Sequence, residues 1–375
     1  MTIKVLHLID SGGLYGAEVM LLNLVEEQIK TGLNPVILSV GTPEIEEKQL
    51  EAEARRRDLP IVPFRMKAGM NLSKGLDIVK YSIREGFDIL HSHGYKFNIL
   101  LGCLPGKIRK IPLVSTVHGY VHATLFSKMW FYQKLDLLCL KRVDYVVFVS
   151  SETEKKADIN LSRSIVINNG IDVSGEDGVP DKNQEGSLEL LFSSSNFVVG
   201  AFGRFSREKG FDYLIAAFRK VLETVPDAYL IIWGEGYLKE ELEKIVSNNS
   251  LEERIIFPGY TAYVSHFLKR LNVLVIPSLT EGLPIILLEA MKNKVPVIAT
   301  DVGAIPEVLD YGRCGVLVPA RDLSALAREV ISVYKTEGDT ETRKTRAYER
   351  MSAHYSSGLM SKRYADLYQR ILSMP

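Results

Sequence analysis

Two carboxylates eight residues apart, Glu281 and Glu289, bracket the point where an apolar run gives way to a helical pattern. The run Val273–Ile276 reads as a buried strand, and Pro284 suits the first position of the following helix, where a missing N–H costs nothing. Glu281 then falls in the turn. The amides of Gly282, Leu283 and Ile285 point out of the helix start and can hold an anion, while Glu281 accepts hydrogen bonds from a polyhydroxylated group beside it. The chemistry expected here is recognition of a sugar joined to a phosphate. Glu289 is expected about two turns into the helix, on the same side.

Cations come from a second cluster. Arg204 and Lys209 follow one strand and precede a helix, so both can turn toward one phosphate-sized target, Arg as a planar fork and Lys as a point charge. Arg207 between them leaves an exposed basic turn as the plainer alternative. Strand Lys4–Ile9 runs into Asp10-Ser-Gly12-Gly13, where glycine lets backbone amides approach a diphosphate closely. Taken alone, that loop fits a dinucleotide, a nucleotide sugar or a purely structural turn equally well, although its spacing is not Gly-x-Gly-x2-Gly. His118 closes strand Leu113–Val117 and precedes Gly119, which sets a polar side chain at the strand's carboxyl end. His91 and His93 end the strand before it. No Cys or carboxylate nearby in sequence completes a ligand set, so no metal is assigned there and His93 is left as a candidate substrate contact.

These residues need elements to position them, and the sequence supplies an alternation. Strands are expected at Lys4–Ile9, Pro35–Val40, Ile61–Arg65, Asp88–His91, Leu113–Val117, Tyr145–Val149 and Ile165–Ile167, with helical stretches such as Glu18–Lys30 between them. The rhythm breaks over residues 173–195, rich in Gly, Asp, Ser and Asn, which reads as a linker. It resumes with strands near Val198–Phe202, Ala228–Trp233, Arg254–Phe257, Val273–Ile276, Pro296–Ala299 and Gly315–Val318. The prediction is α/β, two doubly wound parallel-sheet domains over residues 1–172 and 196–354, with an amphipathic helix over 355–375. Ligands of such sheets sit beyond the carboxyl ends of the strands, so Gly12-Gly13, His118, Arg204 and Glu281 are expected to line one cleft.

The same residues resemble a known family. Glu281 to Glu289 is similar to the Glu-x7-Glu signature of retaining glycosyltransferases of the GT-B fold, family four. Gly203-Arg204-Phe-Ser-Arg-Glu-Lys209-Gly210 resembles the family's Gly-Arg-Leu-x3-Lys-Gly, Gly303-Ala-Ile-Pro306-Glu307 its Gly-x2-Pro-Glu turn, and Asn169-Gly170-Ile171-Asp172 its inter-domain Asn-Gly-Val-Asp. The resemblance implies a nucleoside-diphosphate sugar donor of UDP or GDP type and a glycan or lipid-linked acceptor. It implies that Arg204 and Lys209 bind the diphosphate and offset charge on the leaving group, and that Glu281 meets the sugar and Glu289 the ribose. His118 matches the family's His-Gly. Tyr260 lies where the family's backbone meets the base, and the Gly12-Gly13 loop meets donor and acceptor. By the same resemblance, the last helix crosses back to the first domain. The departing phosphate oxygen takes the acceptor's proton, so no side chain need be the base. No Asp-x-Asp occurs in the chain, so neither a metal nor a cofactor is expected. A nucleotide-sugar epimerase and a non-catalytic nucleotide-sugar binding protein remain as alternatives on the same fold.

Composition sets outer limits. The 375 residues carry 46 Lys and Arg against 46 Asp and Glu, which argues against bulk nucleic-acid binding. Three cysteines with no ligand spacing read as buried reduced thiols. The apolar start is too short for a signal peptide and no later run approaches the length of a membrane span, so a cytoplasmic protein is expected. Between Arg55 and Lys110, 12 basic residues face 4 acidic ones. That run is either a solvated face or a patch for peripheral contact with the anionic inner face of the cell membrane. The stretch Phe126-Ser-Lys128-Met-Trp130-Phe131-Tyr132-Gln-Lys134 is likewise either core packing or an interfacial helix.

Overall fold

The computed structural model describes residues 2–374 apart from 11, 68, 70, 120–126, 158–160, 162, 175–177, 179–185, 187, 193–195 and 336–339. Phe126 and much of the 173–195 linker therefore lie outside the described residues. The chain divides into two units, one of Met1–Asp172 with Ser356–Pro375 and one of Val173–Tyr355.

In the first unit seven strands form one sheet: β1 (Lys4–Ile9), β2 (Asn34–Gly41), β3 (Ile61–Arg65), β4 (Ile89–Ser92), β5 (Leu113–Val117), β6 (Tyr145–Phe148) and β7 (Ser164–Val166). Their order is β3-β2-β1-β4-β5-β6-β7, and every pairing is parallel. A parallel sheet covered on both faces needs strands that are apolar on both faces. Strands such as Leu113-Val-Ser-Thr-Val117 are accordingly buried throughout. Leu6, Leu8, Leu38, Leu90, Phe97 and Leu100 form one core cluster.

The second unit repeats the plan with β8 (Phe197–Phe202), β9 (Ala228–Trp233), β10 (Ile255–Gly259), β11 (Val273–Ile276), β12 (Val297–Thr300) and β13 (Val316–Val318), ordered β10-β9-β8-β11-β12-β13. The helix Phe211–Leu222 buries Phe211, Leu214, Ile215, Phe218 and Val221, an apolar face repeating at three and four residues. It packs on a cluster with Leu230, Ile232 and Val275.

The helix Ser357–Leu372 belongs to the first unit, where Tyr364 and Tyr368 are fully buried. It is stitched to the end of that unit's own chain. Ile171 bridges Ser356, Ser357 N donates to Ile171 O at 2.8 Å, and Gly170 N donates to Met360 Sδ at 3.3 Å. A Cβ on Gly170 would stand 2.4 Å from Ser356 O, so only glycine fits.

The structure corrects three expectations. Cys103 is only half-buried, and its Sγ lies 3.4 Å from that of Cys139, a thiol pair joining two helices 36 residues apart in sequence. The basic run is not a single solvated face. Arg109 is buried against Asp144, Arg65 pairs with Glu51 at 2.8 Å, and Arg56 and Arg57 both reach Glu53 at 2.7 Å. The helix Lys128–Leu140 does not spend its aromatic stripe on the core. It buries Asp136, Cys139 and Leu140 and turns Phe131, Leu135 and Leu138 outward, with Phe131 58% and Leu138 61% exposed.

Candidate functional site

In the second unit β8 and β11 are neighbours at the centre of the sheet, and the chain leaves them in opposite lateral directions, toward β9 and β12. A ligand crevice forms where the order reverses in this way. The loop after β8 carries Arg204 and Lys209, and the loop after β11 carries Glu281. The two meet. Lys209 Nζ lies 2.6 Å from Glu281 Oε1, and Ser278 Oγ donates to the same oxygen at 2.6 Å. Thr300 Oγ1 in turn donates to Ser278 O at 2.6 Å.

Backbone contacts hold both loops. Leu279 N donates to Glu208 O at 2.8 Å, and Gly210 takes φ +64°, where a Cβ would stand 2.3 Å from Pro277 O. On the other side Gly303 takes φ +58°, and a Cβ there would stand 2.1 Å from Glu281 O, while Ala304 N donates to Gly282 O at 3.0 Å. Side chains at 210 or 303 would drive the loops apart, which gives the Lys209-Gly210 and Gly303 motifs a steric reason. With side-chain exposures of 23% and 10%, the Lys209–Glu281 pair is screened less than a surface pair.

Two details of this junction differ from expectation. Pro284 is the N-cap, with φ −73° and ψ 123°, and the helix runs from Ile285 to Lys292. Glu289 is thus its fifth residue, in the second turn rather than beyond it, and is half-buried. Leu283 and Ile285 are buried, Gly282 is half-buried and Arg204 is exposed. Tyr260 follows β10, at the outer edge of the sheet with β9 between it and β8.

The remaining candidates sit in the first unit. The loop after β1 is anchored by Asp10, which Lys96 Nζ reaches at 2.6 Å and Lys48 Nζ at 3.5 Å. Gly12 is exposed. Gly13 passes so near the Tyr15 ring that a Cβ would stand 2.5 Å from it.

His118 follows β5, is half-buried, and ends a chain of imidazoles whose other members are buried. Its Nε2 lies 3.4 Å from His93 Nδ1, His93 Nε2 lies 2.9 Å from His7 Nδ1, and His7 Nε2 lies 2.8 Å from Gln28 Oε1. Beside it, His91 Nδ1 meets Tyr368 Oη and Nε2 meets Thr116 Oγ1, both at 2.7 Å. Burial holds His7 and His118 down to about 4 and pushes His91 and His93 in the same direction. All four are neutral at neutral pH. On the helix Lys128–Leu140, burial pushes the Asp136 carboxyl up to about 6.

His7, His91 and His93 place ring nitrogens within 4.8 Å of one another, the one group of this kind among the described residues. The His7–His93 hydrogen bond and the Tyr368 and Thr116 partners of His91 engage these nitrogens, so the rings form a hydrogen-bond network. Sequence reasoning missed His7 and Gln28. One signal was available: a polar residue inside the apolar strand Lys4-Val-Leu-His-Leu-Ile9 calls for a buried partner.

Residues 187–350 match the model of glycosyl transferases group 1, and residues 15–174 match that of glycosyltransferase family 4. The chain is 25% identical over 268 residues to a UDP-Gal:alpha-D-GlcNAc-diphosphoundecaprenol alpha-1,3-galactosyltransferase of Escherichia coli, covering 69% of each. It is 28% identical over 297 residues to an N-acetyl-alpha-D-glucosaminyl L-malate synthase of Bacillus anthracis, covering 77% of this chain and 76% of that one. Among solved structures, Anabaena HepE in complex with UDP-glucose superposes with a TM-score of 0.84 at 20% identity, over 98% of this chain and 100% of that one. Sucrose-phosphate synthase from Thermosynechococcus elongatus does so at 0.79 and 19%, over 99% of each. With two family models that between them span most of the sequence and a fold shared end to end, the chain belongs to the GT-B glycosyltransferases.

Proposed function

We propose that this protein is a retaining, metal-independent glycosyltransferase. It moves a sugar from a UDP or GDP donor to a hydroxyl of a glycan or lipid-linked acceptor in surface polysaccharide assembly. The observation that carries the reading is the meeting of Lys209, Ser278 and Glu281 where the sheet order reverses. A cation, a hydroxyl and a carboxylate within hydrogen-bond reach suit a phosphate on one side and sugar hydroxyls on the other. The UDP-glucose bound by HepE and the UDP-Gal donor and diphosphoundecaprenol acceptor of the E. coli relative support the substrate classes.

In this mechanism the second unit holds donor and the first holds acceptor. Arg204 and Lys209, with the amides of Gly282, Leu283 and Ile285, take the diphosphate and the charge that grows on it as the glycosidic bond breaks. Glu281 accepts from sugar hydroxyls, Glu289 meets the ribose and Tyr260 lies toward the base. His118 and the Gly12-Gly13 loop are the first unit's residues for contact with substrate. The leaving phosphate oxygen receives the acceptor's proton on the face from which it departs, which retains configuration.

Thermal-shift screening of nucleotide sugars, followed by NMR of the product's anomeric configuration, tests this directly. Inverted product would rule out the retaining step. Activity is expected to persist undiminished in EDTA, because Arg204 and Lys209 supply the positive charge. Loss in chelator with recovery on adding Mn²⁺ would refute metal independence.

Peripheral membrane contact is the remaining part of the proposal. No described helix is long and apolar enough to cross a bilayer. Phe131, Leu135 and Leu138, however, form an exposed stripe at i, i+4 and i+7, flanked by exposed Lys128, Lys134, Lys141 and Arg142. An apolar stripe edged with cations suits an anionic interface. Co-sedimentation with phosphatidylglycerol vesicles should be strong at low salt and several-fold weaker in F131S/L138S. Equal binding by that variant would sink the assignment.

A further inference from the structure

We propose that Gln28 is a positioning residue which, through His7 and His93, fixes the tautomer of His118 so that Nδ1 stays unprotonated and accepts a hydrogen bond from a substrate hydroxyl. The proposal rests on the reading of His118 as a substrate contact and adds what decides the direction of that contact.

The argument is one of alternation. A neutral imidazole has one N–H and one bare nitrogen, so a chain of them joined by hydrogen bonds has a single direction throughout. The structure places Gln28 Oε1, an acceptor, 2.8 Å from His7 Nε2, which puts the His7 proton on Nε2 and leaves the Gln28 amide nitrogen buried without a hydrogen-bond partner among the described residues. His7 Nδ1 is then bare and must accept from His93 Nε2, 2.9 Å away. His93 Nδ1 is bare in its turn and accepts from His118 Nε2 at 3.4 Å. The His118 proton is thereby committed to Nε2. Its Nδ1 is left as a lone pair, buried and without a hydrogen-bond partner among the described residues.

Each link comes from a different element: Gln28 from the helix Gly16–Lys30, His7 from β1, and His93 and His118 from the residues just after β4 and β5. Burial keeps the imidazoles neutral, so no second proton blurs the direction. His91 stands outside the chain, because both its nitrogens are engaged by Tyr368 and Thr116. A substrate hydroxyl can donate or accept. A lone pair fixed on Nδ1 makes it donate, which leaves its oxygen free for a second donor and selects one hydroxyl orientation.

The whole order hangs on one amide. Were the Gln28 side chain turned over, its N–H would donate to His7 Nε2, every tautomer would reverse, and His118 would present Nδ1–H instead.

Long-range ¹H–¹⁵N NMR on the full chain labelled with ¹⁵N-histidine reads the tautomer of each ring, with His118 assigned by the signals lost in His118→Asn. We expect His118 in the Nε2–H form at pH 7.5. In Gln28→Leu its two nitrogens should move toward a tautomer mixture, and donor turnover should fall about ten-fold while UDP or GDP affinity is unchanged, the size of one hydrogen bond. An Nδ1–H form in the wild type overturns the proposal, and so does a Gln28→Leu protein with the wild-type tautomer and turnover. If Gln28→Leu does not fold, the wild-type spectrum decides alone. Full turnover in His118→Ala would remove the substrate contact, and with it the use of the lone pair, whatever the tautomer. A large loss in His118→Ala together with an Nδ1–H spectrum would keep the contact and reject the role of Gln28.

Discussion

Glu281→Ala should lower turnover by about 10²–10³-fold, the range for removing one group aimed at a transition state, while nucleoside diphosphate affinity changes little. The carboxylate is held on both sides, by Lys209 and Ser278 at 2.6 Å and by the close approach of Gly303 to its carbonyl. It is therefore positioned before any ligand arrives, which is the condition for electrostatic stabilisation without reorganisation. Lys209→Ala should behave differently. It removes a diphosphate cation and strands the half-buried Glu281 charge, so both affinity and turnover should fall. Titration calorimetry with UDP and GDP beside single-turnover kinetics separates the two cases. Wild-type turnover in Glu281→Ala would end the reading of this junction as the sugar site.

The second large effect is on stability. His7 is fully buried and held down to about 4, against an ordinary value of 6.5. A base whose folded value is depressed contributes stability that is fully present above the unfolded value and is lost as pH falls through the folded one. For His7 alone the span from 6.5 to about 4 corresponds to about 3 kcal/mol. His91, His93 and His118 act in the same direction. Asp136 opposes them. Its value is raised from 3.8 to about 6, so over that range acidification favours its folded state. Four imidazoles outweigh one carboxyl, and the first unit should lose most of its stability between pH 6.5 and 4. The two tryptophans allow a measurement by unit, since Trp130 lies in the first and Trp233 in the second. In Trp233→Phe, thermal unfolding followed by fluorescence should shift down steeply below pH 6.5. The same midpoint at pH 7.5 and 5.0 would contradict the histidine account.

The fold was legible because parallel strands buried on both faces leave short apolar runs that little else in a sequence imitates. Val273–Ile276 and Ala228–Trp233 were read to the residue, and other boundaries moved by one or two positions, as at Pro35–Val40, observed as Asn34–Gly41. What the sequence hid were contacts between residues far apart along it. His7 meets His93 only because β4 lies next to β1, 86 residues later, and that adjacency is a property of strand order. Cys103 and Cys139 face each other for a similar reason, through the packing of two helices. The place of Pro284 was missed on a finer scale, since proline serves as well just before a helix as at its first residue.

The joint between Ile171 and Ser356 bears on how the molecule comes into being. The second unit is a cassette inserted in the first, and the inserted segment is the first to emerge whole from the ribosome. Domains ordinarily fold in the order of synthesis. Here the first unit lacks Tyr364 and Tyr368, which cap His91 and Thr116 in its core, until the segment that follows the second unit is made. A nascent chain stopped at residue 355 would carry a completed second unit and a first unit still waiting for the helix Ser357–Leu372.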